Sequence, residues 1–440
     1  MSGFRNNAAV ENSDTQKTIV VLEGNYRARR PVFDKLPTTQ AKPMCAHAIR
    51  VSEVVDTLPE IWGFTTTDSI VEQVDLLEQD MRTIQFDFYG VTHLVSVPKT
   101  LGNFHPVGIK ERDVEDFTRS LSCCRFQRII SDCNKYRVAL GYNDWAVLKL
   151  IQALAWEVFP ANVNGEQEIF TAFILDQMGL HVRVARADSK LIVLFASVQE
   201  IYAKQYITYE TCPLYLVENI SPGTDIFPYN IGYKTTARPL DLRIAKPIRF
   251  PANSSTSKLC RYSSVWTTTL ELPVSNSLVG FYRDYPQIDP KFYASAALDQ
   301  DFVGIFKRLI NREAAIGTLS KVNELLSFLQ HDFKYKVDQE QFSKEKPFFC
   351  EENFIYAYND CEDRSILLSS LIRNVLGLKV VLLDYKQHMA VAVCLDEPVK
   401  GDYLVLDEQK YYVCDPTYIG ASVGMSMPQY KNRAVTVYRL

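Results

Sequence analysis

Cys361, His388 and Asp415 are three residues of this chain whose types and settings complement one another chemically. A thiol supplies a nucleophile, an imidazole takes its proton and later returns it to a leaving group, and a carboxylate fixes the imidazole's tautomer. Cys361 stands in Tyr358-Asn359-Asp360-Cys361-Glu362-Asp363-Arg364-Ser365, directly ahead of Ile366-Leu367-Leu368, Leu371-Ile372 and Val375-Leu376. Those apolar residues recur at helical spacing and predict an amphipathic helix, which Gly377 can end with a left-handed cap. The thiol then lies in the first turn, where unpaired N–H groups and the helix dipole favour the thiolate. Glu362 and Asp363 suit the same helix start and partly oppose that effect. Arg364 is placed to hold one of them in an ion pair.

The other two groups need a sheet. Lys379–Leu383 predicts a buried strand, His388 opens a second that runs through Met389–Cys394, and Tyr411–Cys414 predicts a third that leads straight into Asp415. If the last two pair antiparallel, the start of one lies beside the end of the other, and ring and carboxylate meet at one sheet edge. Tyr403–Leu406 also reads as a strand. A simple meander would insert it between the two and separate His388 from Asp415, so it is expected on the outer side of Tyr411–Cys414. The backbone N–H of Cys361 is the natural first oxyanion donor, with Tyr358, Asn359 or a groove residue as the second. The stretch 339–354, with Pro347-Phe348-Phe349, is expected to supply groove walls. As rival bases, His47, His93, His105, His181 and His331 lack a strand-edge carboxylate partner of this kind, and His331 reads as exposed.

This ordered trio, with Cys361 in Asp-Cys-Glu-Asp-Arg-Ser, His388 before an alternating apolar strand and Asp415 in Cys-Asp-Pro-Thr-Tyr, resembles the transglutaminase-like superfamily, whose fold is of the papain type. The resemblance covers roughly Lys321 to Gln429, and residues 336–342 and 424–430 are similar to a bacterial branch. It implies an α+β fold and cysteine-dependent acyl transfer on peptide or protein amides through an acyl-enzyme. Hydrolysis, as a peptidase or amidase, stands ahead of protein cross-linking, because water is always at hand whereas an amine acceptor needs its own site. No cofactor and no metal are implied. The alternative is a non-catalytic structural or protein-binding member that retains the fold.

An earlier stretch repeats the pattern. Helix Trp145–Phe159, helix Ile169–Gln177, Gly179-Leu180, strand His181–Val184 and strand Lys190–Phe195 follow the order of helix Val322–Phe333, helix Ser365–Leu376, Gly377-Leu378, strand Lys379–Leu383 and strand His388–Val393. Aligned on the two Gly-Leu junctions, Lys190 falls at His388, and Val163 or Gly165 falls near Cys361. This reads as a degenerate copy without nucleophile or base, able to serve as a scaffold or recognition face. The expected division is an extended N-terminal arm over 1–80, the degenerate transglutaminase-like domain over 81–213, a β-rich connector or small β-domain over 214–300, and the catalytic domain over 301–440.

Within the arm, polar residues to about 17 read as a mobile tail, Thr18–Leu22 as a short strand, Arg27–Pro31 as a solvated basic loop and Val71–Met81 as a helix. A hairpin follows over Thr83–Gly90 and Thr92–Val97, then helices over Glu111–Leu121 and Arg125–Leu140. Asp144 or Asn143 is expected to cap the helix at Trp145. Thr267–Val274, and Arg238–Phe250 in parts, alternate like half-buried strands.

Composition sets outer bounds. Over 440 residues, 47% are apolar and 23% charged, which is ample for a buried core. A net charge of −4 gives no electrostatic reason to expect nucleic acid or an anionic membrane surface. No run is long enough to span a membrane, and the first residues lack the apolar segment of a signal peptide. A cytoplasmic location is expected, with a processed exported form left open. The ten cysteines form no Cys-x-x-Cys pair, and Cys394 and Cys414 read as small core residues.

Overall fold

A computed structural model describes residues 21–22, 80–250, 259–312 and 317–440. Of the expectations for the N-terminal arm, the short strand is seen at Val21–Leu22, while the polar tail, the basic loop, His47 and most of the Val71–Met81 helix fall outside these residues. Met81 itself opens a strand.

The described chain mixes helices and sheets. Strand β1 (Val21–Leu22) is followed by the hairpin β2 (Met81–Phe88) and β3 (Val91–Pro98), whose alternating burial matches its alternating sequence. Helices α1 (Glu111–Ser122), α2 (Gln127–Leu140), α3 (Asp144–Val158) and α4 (Glu166–Gln177) come next. Asn143, and not Asp144, caps α3, accepting from the Ala146 N–H at 3.1 Å. Asp144 is instead held by Arg137 and Arg238.

A five-stranded sheet follows, made of β4 (Val182–Ala187), β5 (Lys190–Ala196), β6 (Tyr206–Tyr209), β7 (Cys212–Leu216) and β8 (Ile226–Pro228) in the order β6-β7-β5-β4-β8. A boundary between 213 and 214 therefore falls inside β7, and β8 completes the same sheet. Beyond it, the expected β-rich connector holds one hairpin, β9 (Leu259–Ser263) with β10 (Thr268–Leu272), and two helices, α5 (Asn276–Arg283) and α6 (Pro290–Ala294). Within 238–250 the chain makes only isolated bridges, at Arg238 and Leu240. Its alternation instead seats Leu240, Leu242, Ile244, Ile248 and Phe250 in the core.

The C-terminal part begins with α7 (Gln300–Ile310) and α8 (Thr318–His331), then β11 (Lys334–Tyr335), α9 (Asp338–Phe342), β12 (Tyr358–Asn359) and α10 (Cys361–Leu371). A π-helical turn, Ile372–Leu376, extends α10 to Gly377, whose φ of 68° gives the left-handed cap its sequence predicts. Strands β13 (Val380–Tyr385), β14 (His388–Cys394), β15 (Tyr403–Leu406), β16 (Gln409–Cys414) and β17 (Val435–Arg439) form a sheet with β1, in the order β1-β17-β13-β14-β16-β15. The strand Tyr403–Leu406 thus lies outside β16, as required if His388 is to reach Asp415.

The two sheets share one topology. Strand for strand, β4 to β8 correspond to β13 to β17, with the same neighbours and the same antiparallel pairings. In both, alternate residues point to opposite faces. In the C-terminal sheet Leu382, Val391 and Cys414 face the helices, while Leu383, Ala390 and Val413 pack on the other side with Tyr430. One continuous apolar core runs from Phe86 in the hairpin to Tyr438 in β17, so both parts bury surface against common neighbours. Among the described residues no helix is long and apolar enough to cross a membrane.

Candidate active site

Asp360 fixes the start of α10. Its carboxylate accepts from the N–H groups of Glu362 (2.8 Å) and Asp363 (3.1 Å), and the Asp363 carboxylate accepts in return from the Asp360 N–H (3.2 Å). This reciprocal cap makes Cys361 the first helical residue, where no intrahelical acceptor exists for its N–H. One turn on, Ser365 Oγ donates to the Met389 carbonyl at 2.9 Å and binds the helix to the strand that His388 opens.

Register then does the rest. Val391 lies opposite Cys414, so the residue after β16 sits beside the first residues of β14. His388 Nε2 and Asp415 Oδ2 are 2.7 Å apart. The other carboxylate oxygen accepts from the Thr417 N–H (3.0 Å) and hydroxyl (2.7 Å), so Asp415 is held at both oxygens. With the Nε2 proton donated to Asp415, Nδ1 is the basic nitrogen available to a thiol. The Tyr430 ring stacks on the imidazole at 4.6 Å between centroids and 14° between planes. Buried Gln330 clamps the following loop, donating to the carbonyls of Asp415 (3.1 Å) and Ala421 (3.0 Å) and accepting from the Gly420 N–H (3.1 Å).

The thiol's surroundings contain what sequence reasoning missed. The Tyr335 phenol lies close enough to Cys361 to feel it: burial first, then the charges of Cys361 and Asp360, raise its pKa. Tyr335 arrives there because β11 pairs in parallel with β12, setting Tyr335 opposite Asn359. Nothing in Lys334-Tyr335-Lys336 marks this contact locally; it depends on a two-residue ladder between segments over twenty positions apart. Cys361 is 7% exposed, His388 5% and Asp415 2%, so all three side chains are buried.

Several expectations are corrected. Arg364 does not hold Glu362 or Asp363. Its guanidinium is buried and donates to Asn359 Oδ1 (2.9 Å) and to the carbonyls of Phe333 (2.7 Å) and Pro416 (3.4 Å), tying together the segments around the thiol. A buried cation that gains from a negative Cys361 is a second source of thiolate stabilisation. Asn359 is a poor oxyanion donor, since its oxygen takes Arg364 and its amide donates to Asn353 at 3.0 Å. Tyr358 is partly exposed, with the Lys336 ammonium 5.5 Å from its ring centroid. Phe348 and Phe349 are core residues, Phe349 stacking on Tyr282 at 4.2 Å, and form no groove wall. Aromatic burial outweighs loop position there.

The other histidines sort differently from one another. His93 is fully buried between Val91 and Tyr142, and His331 is exposed and bonds its own helix. His105 does have a carboxylate, Glu166 Oε1 at 3.1 Å, at a helix start and not at a sheet edge. Among the described residues no group of His, Cys, Asp and Glu is placed to hold a metal ion.

The N-terminal sheet allows the repeat to be read residue by residue. Lys190 opens β5 opposite Ala187 as His388 opens β14 opposite Tyr385. Glu218 follows Val217, whose N–H bonds the Val193 carbonyl, in the place where Asp415 follows Cys414. At the start of α4 the first helical residue is Glu166, one position beyond the expected Gly165. The sequence repeat is legible only as far as the strand Lys190–Phe195, so it carries no signal for the Glu218 correspondence. No family model, curated protein or solved structure matches this chain.

Proposed function

We propose that this chain is a cysteine enzyme of acyl transfer, with a transglutaminase-like, papain-type arrangement in its C-terminal part. Cys361 is the nucleophile, His388 the base and then the acid, and Asp415 the residue that orients His388. The 2.7 Å contact of His388 Nε2 with Asp415 Oδ2, at the sheet edge to which α10 is bonded, carries the proposal.

In the first half-reaction the thiolate attacks an amide or ester carbonyl, its proton having passed to His388 Nδ1. The Cys361 N–H donates to the developing oxyanion, and the Tyr335 hydroxyl, near Cys361, is a better-supported second donor than Asn359. His388 returns the proton to the leaving amine, giving a thioester. Water, or less favourably an amine, then resolves it with His388 again as base. A peptide or protein amide is the substrate class.

The near-burial of the thiol favours a second reading, a binding protein that keeps the arrangement without turnover. Iodoacetamide labelling with peptide mapping separates the two, using the exposed Cys123 and Cys260 as references. Preferential reaction at Cys361, lost in His388→Ala, is the enzyme's signature. Slow labelling of Cys361 that is indifferent to His388 would sink it. A peptide-library activity screen with Cys361→Ala as the blank then identifies the substrate.

A further inference from the structure

Where the C-terminal part closes over its thiol, the N-terminal part is open. A cavity of about 370 Å³ lies between the start of α4, the start of β5 and the end of β7, the place topologically equivalent to the candidate active site. It adjoins a hollow of about 320 Å³, and Gln152, Trp156 and Glu218 line both. Volumes of this size are those of small-ligand sites.

We propose that this cavity binds a primary alkylammonium group, through the carboxylates of Glu168 and Glu218, the side-chain carbonyl of Gln152 and the face of Trp156. It goes beyond the acyl-transfer reading and does not depend on it.

The chemistry of the lining selects the ligand. Gln152 Oε1 is buried and receives no hydrogen bond. A buried acceptor left without a donor is unfavourable by itself and is satisfied by a ligand that brings an N–H. Glu168 and Glu218 are the cavity's two carboxylates, and Lys190, its one cationic lining residue, is exposed at the rim. Burial first, and then the neighbouring charges of Glu218 and Glu166, raise the pKa of Glu168 despite its bonds to Asn162. Glu218 also lies near Lys204, whose ammonium donates to the Val217 carbonyl at 2.9 Å, and the adjoining hollow is lined by Lys149. Three acceptors suit the three N–H donors of an ammonium, whereas a planar guanidinium would need two of them coplanar. The indole of Trp156, 63% exposed, offers its face to a cation at the mouth, and Leu191, Val193 and Val217 offer apolar wall to the methylenes behind it.

Such a group can come from a lysine side chain or from a free alkyl diamine. Isothermal titration of the full chain with Nα-acetyl-lysine methylamide, its norleucine counterpart and 1,5-diaminopentane tests the site and its source. Saturable binding of either amine, with the norleucine amide failing to bind, supports the proposal; the lysine amide alone points to a protein side chain and the diamine alone to a free amine. Glu218→Gln and Trp156→Ala, both at exposed positions, should each weaken binding about fivefold or more. Equal binding of the norleucine amide, no saturation by either amine, or undiminished affinity in both variants would overturn it.

Discussion

Two sheets of one topology stand in the middle and in the C-terminal part of this chain, and they differ at three places. The C-terminal sheet has His388 at the head of its second strand, Asp415 beyond its fourth and Cys361 at the start of the helix beside it; the N-terminal sheet has Lys190, Glu218 and Glu166. The consequences diverge. His388 and Asp415 bond each other directly, with Thr417 and Gln330 locking the carboxylate and its loop, and the thiol is covered. Among the described residues Lys190 and Glu218 form no ion pair, and a cavity stands between their strands and the helix. The strand order thus sets where three side chains can meet, and the side chains decide whether that place is filled by an internal hydrogen-bond network or left open for a ligand.

Replacing the thiol tests the comparison hardest. Cys361→Ala should abolish acyl transfer, a loss of about 10⁴-fold or more in kcat/KM, and His388→Ala should match it because nucleophile and base act as a unit. Activity surviving both substitutions would erase the contrast between the two parts. Asp415→Asn comes next. It keeps the shape but presents an amide to His388 Nε2, disturbing the tautomer, and a fall of about 10²-fold or more is expected with KM little changed.

Gln330→Ala probes the network that only the C-terminal part has. It strips hydrogen bonds from the carbonyls of Asp415 and Ala421 and the N–H of Gly420, and should lower stability by about 2 kcal/mol in denaturant melts while reducing kcat. Glu166→Gln is the smaller counterpart at the N-terminal helix start. It removes a carboxylate that bonds His105 and accepts from the Asn164 N–H at 2.9 Å, so about 1 kcal/mol of stability should go, with acyl transfer unchanged. A large loss of activity there would mean that the two parts do not divide their roles.

Much of this site could be read before folding, for a reason that can be stated. Cys361, His388 and Asp415 each sit at the end of an element whose period is plain in the sequence, and Gly377 marks the helix end by a conformation few other residues adopt. The outer position of Tyr403–Leu406 followed from demanding that His388 meet Asp415. Tyr335 and Arg364 were misread or missed because their partners come from distant segments, Cys361 for one and Asn359, Phe333 and Pro416 for the other. Charge adjacency suggested a local ion pair for Arg364, but burial gave it carbonyls. Likewise Arg238–Phe250 alternates as a strand would, yet its apolar residues are satisfied by core packing without a ladder.

The gentlest test concerns the acids around the thiol's helix. Asp338 is buried on α9 and faces Asp360 and Glu362 across the start of α10; burial first, then those charges, push its pKa up to about 8 from an ordinary 3.8. Between these values the unfolded chain has released the proton that the folded chain still holds, so stability falls as pH rises through this window, and the loss is complete above the upper value. In Asp338→Asn the amide carbonyl can still accept the Lys346 N–H, which Oδ2 takes at 2.7 Å, but there is no proton to lose. Wild type and variant should therefore be close in stability near pH 4 and separate steadily above it, with the variant increasingly ahead up to pH 7.5. Urea melts at pH 4, 6 and 7.5 measure this directly. Parallel curves would mean that Asp338 is ionised in the folded chain, and the Cys361 helix would then start among more negative charge than Glu166 meets beside His105.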